Sequence, residues 1–250
     1  MLPKINFEVM SIEEIAGILE WAILINDGPL PMSEYVFKLY PELKGLDWKI
    51  LSVEEGTGKI KNIIYETYIK NTSKYERIIN EYIEIWNQYN DLFMKNLSEV
   101  LNIDWSIQFE NIKVKVGDIP VFPRDLENNC FYIGEMNKEN LIKTIMHECC
   151  HFLYFEKWKQ IFKNWKLEEF DSPHIIWYLS EMAIDPILNN SKIQEVYQID
   201  FKAYQSFYSI MVDGKNLMEI IKDIYSKNEI DEAIIKTYDF VVKNENIIKQ

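Results

Sequence analysis

Cysteine, histidine and positive charge are all scarce in this sequence. Three cysteines in 250 residues, two of them adjacent (Cys149 and Cys150), cannot make a disulfide framework, so a reducing compartment is the simpler setting. Lys and Arg number 27 against 40 Asp and Glu, a formal charge of -13 that no basic cluster offsets. Phosphate backbones and anionic membranes are therefore repelled, and neither nucleic acid nor membrane is an expected partner. A neutral or basic polypeptide is tolerated. No run of about 18 apolar residues occurs, and the apolar N-terminal stretch carries Glu13, Glu14 and Glu20, unlike the core of a signal peptide. Together these absences predict a cytoplasmic protein. Low-complexity segments and internal repeats are absent too, while apolar residues at 48% suffice for a packed core.

What is present divides by period. The first 26 residues read as an amphipathic helix, and the proline-rich segment PLPMSEYVFKLYPELKG as a connector with a short helix. From about Lys59 to Leu101 neither Gly nor Pro occurs, which predicts a long helix or helical hairpin with its break near residues 71–74. After Trp105 the period becomes two, with Ile112, Val114 and Val116 alternating with polar residues, as in half-buried strands. A turn and the short strand CFYIG follow, then a helix from Glu139 and a helical block from about 174 to the end. The expected fold is α+β and mainly helical, with a division near residue 103: a helical N-terminal region, 1–102, and a second domain, 103–250, holding the small sheet, the motif helix and the C-terminal helices.

The motif is HECCH at 147–151. Residues four apart share a helical face, so His147 and His151 can present ring nitrogens to one ion. Glu148 lies a quarter-turn away and can take a proton from a water on that ion. Two neutral imidazoles suit Zn²⁺, which lowers the pKa of water to about 7 and so lets an ordinary carboxylate act as base. Only three histidines exist, and two of them four apart with Glu in the second slot arise by composition less than about 1% of the time. The competing reading is a buried helix with two satisfied histidines. Cys149 and Cys150 read as small hydrophobes.

With its flanks, TIMHECCHFL resembles the extended signature of the zincin metallopeptidases: Thr144 stands three residues before the first histidine, Cys149 and Cys150 fill the gap, and Phe152 and Leu153 close it. A catalytic zinc needs a third protein ligand. Glu181, thirty residues after His151, has apolar neighbours that ill suit an unpaired carboxylate, and a metal explains it; a surface carboxylate is the alternative. Asp185 follows on the same face and can accept the outer N–H of a ligand histidine. Glu181-Met-Ala-Ile-Asp185 is similar to the ExxxD of the gluzincins, the thermolysin-like branch, although Pro186 disfavours helix at Asp185. His174 competes for the third position and otherwise offers a hydrogen bond to a developing oxyanion, as Tyr178, Tyr204 and Tyr208 also do.

The resemblance spans roughly residues 105–190. It implies a zincin-like core, one catalytic Zn²⁺ and a peptide or protein substrate, and it likens Asn129, Cys130, Phe131 and Tyr132 to a free edge strand on which substrate pairs. The expected activity is hydrolysis of peptide bonds with Glu148 as general base. A zincin-like module that binds or regulates without turnover is the alternative. A di-metal carboxylate bundle is disfavoured, since Glu148-Cys-Cys-His151 has no second Glu-x-x-His to pair with.

Overall fold

Ser11 and Ser52 open helices in the same way. Each hydroxyl accepts from the backbone N–H three residues on, and Glu14 or Glu55 reaches back to the serine N–H, closing a capping box. The computed structural model describes residues 2–25, 31–48 and 50–248. It is mainly helical, with 64% helix and a small mixed sheet, which is an α+β architecture.

Along the chain the elements are β1 (Lys4–Val9), α1 (Ile12–Leu24), α2 (Met32–Leu39), α3 (Val53–Trp86), α4 (Asn90–Leu101), β2 (Asn111–Val116), β3 (Arg124–Asp125), β4 (Cys130–Ile133) and α5 (Lys138–Ile161). After these come α6 (Ile175–Leu188), α7 (Ser191–Gln194), the hairpin β5 (Met211–Val212) and β6 (Lys215–Asn216), α8 (Leu217–Lys227), α9 (Ile230–Lys243) and α10 (Glu245–Ile248). No helix among the described residues is long and apolar enough to cross a membrane.

The chain forms two units, Pro3–Gln88 with Gln108–Leu141, and Tyr89–Ile107 with Ile142–Gln250. No single cut near residue 103 separates them, because the first unit draws on both sides of that point. It holds the sheet, in the order β1-β2-β4-β3, with β1 and β4 parallel to β2 and β3 antiparallel to β4. Its core gathers Ile15, Leu19 and Ile23 of α1, Val36 of α2 and Ile60 and Ile64 of α3. In the second unit α6 packs against α8 and α9.

Three expectations for the first unit need correction. Residues 4–9 are a strand, not part of a helix: KINFEV alternates, and register Lys4↔Asn111 to Val9↔Val116 lays it along β2. The long helix starts at Val53, ahead of Lys59, although Gly56 and Gly58 lie in its first turns. Gly56 has a reason, since a Cβ there would meet the Glu20 carboxylate that Thr57 holds at 2.5 Å. The helix also runs through residues 71–74, where Thr72 Oγ1 donates to the Tyr68 carbonyl and Asn71 donates to Asp118, and it breaks only at 87–89. Of the proline-rich connector, Pro29 and Leu30 lie outside the described residues, and its short helix is α2.

Candidate metal centre

Two helices of the second unit supply the centre. On α5, His147 and His151 are one turn apart. On α6, Glu181 lies midway along a helix whose inward positions Leu179, Met182, Ala183 and Ile184 are all buried, so the carboxylate is carried into an apolar interior. Three donor atoms converge: His147 Nε2 is 3.0 Å from His151 Nε2 and 3.5 Å from Glu181 Oε2, and His151 Nε2 is 3.3 Å from Glu181 Oε1. These are the only three metal-ligating side chains that meet within such a radius among the described residues.

The spacing suits zinc. Tetrahedral bonds of about 2.0–2.1 Å put neighbouring ligand atoms about 3.3 Å apart, close to all three separations. Charge points the same way: with neutral imidazoles, Glu181 and Glu148 bring two negative charges into a nearly buried site, which a divalent cation balances. His151 is fully buried and Glu181 3% exposed, whereas the His147 side chain is 27% exposed, so the cluster is open on the His147 side. Glu148 is 8% exposed by side chain, with Oε1 3.9 Å from His147 Nε2, at the margin of the donor set.

Cys149 and Cys150 are buried thiols. Burial pushes both up from the ordinary thiol range, and nearby negative charge adds to it, that of Glu148 for Cys149 and those of Glu181 and Glu148 for Cys150. Protonated thiols are poor ligands and poor nucleophiles, so both cysteines fill space in the core.

The remaining residues singled out in the sequence do not join the cluster. Asp185 is fully buried, but its partners are not histidines: Oδ1 accepts from Asn189 Nδ2 at 2.8 Å, Oδ2 from the Tyr208 hydroxyl at 2.5 Å, and Lys222 Nζ lies 3.3 Å from Oδ1. Its expected bond to a ligand histidine is therefore corrected. Helix α6 continues through Pro186 to Leu188, and a full turn beyond Glu181 the carboxylate faces residues of the 204–208 segment and of α8 instead. Tyr208 is committed to Asp185, and burial, with that hydrogen bond, raises its phenol above the usual range. Asp185 and Lys222 also border a groove of about 1040 Å³, which none of His147, Glu148, His151 or Glu181 lines.

His174 is the exposed N-cap of α6, two turns or about 10 Å along the axis from Glu181. It does not reach the donor cluster. Tyr178 and Tyr204 belong to a group of four rings with Trp177 and Phe207, and Tyr204 is 47% exposed.

In the other unit, β4 is not a free edge. It pairs with β2 on one side, while β3 pairs Arg124↔Phe131 and Asp125↔Cys130 on the other, and Tyr132 N–H donates to the Pro123 carbonyl at 3.0 Å. Asn129 is a left-handed turn residue whose amide donates to the Gln108 carbonyl. Residues 123–125 thus occupy the edge that the sequence reading assigned to substrate, and Asn129, Cys130, Phe131 and Tyr132 are sheet and turn residues.

The chain matches no protein-family profile, no curated protein and no solved structure.

Proposed function

We propose that this chain is a zinc-dependent peptidase of the gluzincin kind, its zincin-like chemistry carried by the unit that contains residues 142–250. The observation that carries the reading is the convergence of His147 Nε2, His151 Nε2 and Glu181 on one point at zinc-like spacings, with Glu148 alongside. These three side chains would hold the ion. Bound zinc supplies Lewis acidity, polarising an amide carbonyl and acidifying water to a pKa of about 7.

The chain's own residues do the rest. Glu148, next to the donor set and on the same helix, orients a water and takes its proton on a carboxylate oxygen. The same carboxyl then returns the proton to the leaving nitrogen, without which an amine anion would be expelled. The apolar surroundings of α5 and α6 exclude other water and keep Glu181 ionised only against a cation. Opening on the His147 side gives substrate access. The three buried free thiols suit a reducing, cytoplasmic setting. Substrate is a peptide or protein.

The test combines metal analysis and turnover. Purified chain stripped with a chelator and reloaded should hold one zinc and cleave a quenched fluorogenic peptide library. Glu148→Gln should keep the zinc and lose turnover by about 10²–10⁴-fold; Glu181→Ala should lose the zinc, and His174→Ala should not. Metal bound with no cleavage of any peptide favours the non-catalytic module. Full activity in Glu148→Gln removes the residue from the mechanism, and loss of zinc in His174→Ala alone overturns the ligand set.

A further inference from the structure

Four rings follow one another in a file that begins at a proposed ligand, each plane inclined by 18° to 22° to the next. His151 faces Phe155, one turn along α5, with centroids 6.0 Å apart and planes inclined by 18°. Phe155 faces Phe170 at 4.5 Å and 21°, and Phe170 faces Trp165 at 5.5 Å and 22°. His151, Phe155 and Phe170 are buried, while Trp165 ends the file at the surface. There Lys159 Nζ lies 4.9 Å from the Trp165 centroid and 5.6 Å from that of Phe170. Such offset stacks are favourable beyond the area they bury, and a cation on the outer ring adds to them.

The imidazole's own torsion has broad minima, so the plane of His151, and with it the direction of the Nε2 lone pair, has to be set by neighbours. Phe155 lies beside the imidazole at 6.0 Å with its plane inclined by 18°, and His147 meets the same ring edge-on at 4.7 Å, so aromatic neighbours on one helix face favour a single plane for it. The file does a second thing. Phe170 ends the 3-10 turn Leu167–Phe170, five residues before α6 begins at Ile175, and that turn packs on α6. The same rings therefore tie the helix that carries His151 to the chain that leads into the helix carrying Glu181.

We infer that Phe155 and Phe170 are positioning residues that pre-form the metal site, fixing the His151 ring plane and the approach of α6 to α5 before any ion binds. The inference rests on the metal reading for its consequence, but the ring geometry is testable without metal. The experiment compares the parent with Phe155→Leu, Phe170→Leu and, as a control, Phe93→Leu, which removes a fully buried ring of α4 outside the file. Three readouts are taken: zinc affinity by competition with a chelating dye, the visible spectrum of the cobalt-substituted protein, and the His151 ring-proton shifts of the metal-free protein.

Phe155→Leu and Phe170→Leu should weaken zinc about 10–100-fold and alter the cobalt spectrum, whereas Phe93→Leu lowers stability and leaves both in place. In the metal-free parent the His151 ring protons should show an upfield ring-current shift that disappears in Phe155→Leu. Equal loss of affinity in all three variants, or unchanged affinity in Phe155→Leu, overturns the proposal. If the parent binds no zinc, the metal reading fails, and the shifts alone decide: a displaced, single set of His151 signals upholds the fixed ring, and averaged random-coil positions refute it.

Discussion

Tyr208 gives its hydroxyl hydrogen to Asp185 over 2.5 Å and takes the Ala203 N–H at 3.1 Å, so one phenol joins a buried carboxylate on α6 to the backbone of a separate segment. Replacing Asp185 with Ala strands the Tyr208 hydroxyl and one N–H of the Asn189 amide, whose other N–H keeps the Phe201 carbonyl, and leaves Lys222 without its partner. Because Lys222 is 46% exposed its charge stays hydrated, and the loss comes mainly from the two hydrogen bonds to the carboxylate. We expect a destabilisation of about 2–3 kcal/mol by urea unfolding, with zinc affinity within a factor of three of the parent. A larger loss of affinity would return Asp185 to the support of a ligand.

Zinc should stabilise the chain by mass action. At a free concentration 100 times the dissociation constant, linkage gives about 2.7 kcal/mol, roughly 5–10 °C in melting temperature for a chain of this size. Differential scanning fluorimetry on stripped and reloaded protein measures it. Glu181→Ala should abolish the shift, since it removes one of the three donors, and His174→Ala should keep it.

Lys157 is buried at 1% exposure. Its Nζ donates to the Asn102 carbonyl at 3.1 Å and to Gln160 Oε1 at 3.1 Å, and it pairs with Asp231. Asn102 is the left-handed cap of α4, so a side chain of α5 closes the end of one helix and meets the first turn of α9. Lys157→Met keeps the volume and removes these bonds, leaving Asp231 half in water. A loss of about 1–3 kcal/mol is expected. Hydrogen exchange should locate it in the last turn of α4 and the start of α9, and an even effect across the chain would contradict this arrangement.

Glu14 sets part of the acid limit. Burial alone would raise its pKa, but Lys115, with the Ser11 hydroxyl and N–H, outweighs that and holds it below 4.5. A carboxyl depressed in the folded state stabilises the fold above its unfolded pKa, and that contribution is lost as pH falls through the folded value. Glu14→Gln should therefore be less stable than the parent at pH 7, and the gap should close progressively below about pH 4.5. A gap that stays constant down to pH 3 would show the effect to be steric.

How much of this was legible in the sequence depended on the range over which each feature is decided. His147 and His151 are placed by helical spacing alone. Glu181 showed itself as a carboxylate among Leu179, Met182, Ala183 and Ile184, and the structure brings it to both imidazoles. Asp185 carried an equal local signal but was misread, because apart from Asn189 its partners come from residues 208 and 222, and no local pattern announces those. The edge at β4 failed for the same reason, since residues 123–125 fold back over it through backbone bonds that composition does not reveal. β1 was a different kind of miss. The alternation of KINFEV and the capping box at Ser11 were both readable, and the amphipathic pattern of α1 was extended across them. Phe155 also left a signal, an aromatic four residues after a candidate ligand histidine.

The pairing of β1 with β2 sets a timetable for synthesis. Lys4 finds its register partner in Asn111, so about a hundred residues separate the two strands. At roughly 5–20 residues per second a ribosome takes about 5–20 s to cover that distance, and for all of it KINFEV is outside the sheet it will join. An apolar strand left waiting is an aggregation hazard, and Lys4, Asn6 and Glu8, alternating with the apolar positions, give the nascent segment a charged and polar face while its partner is still being made.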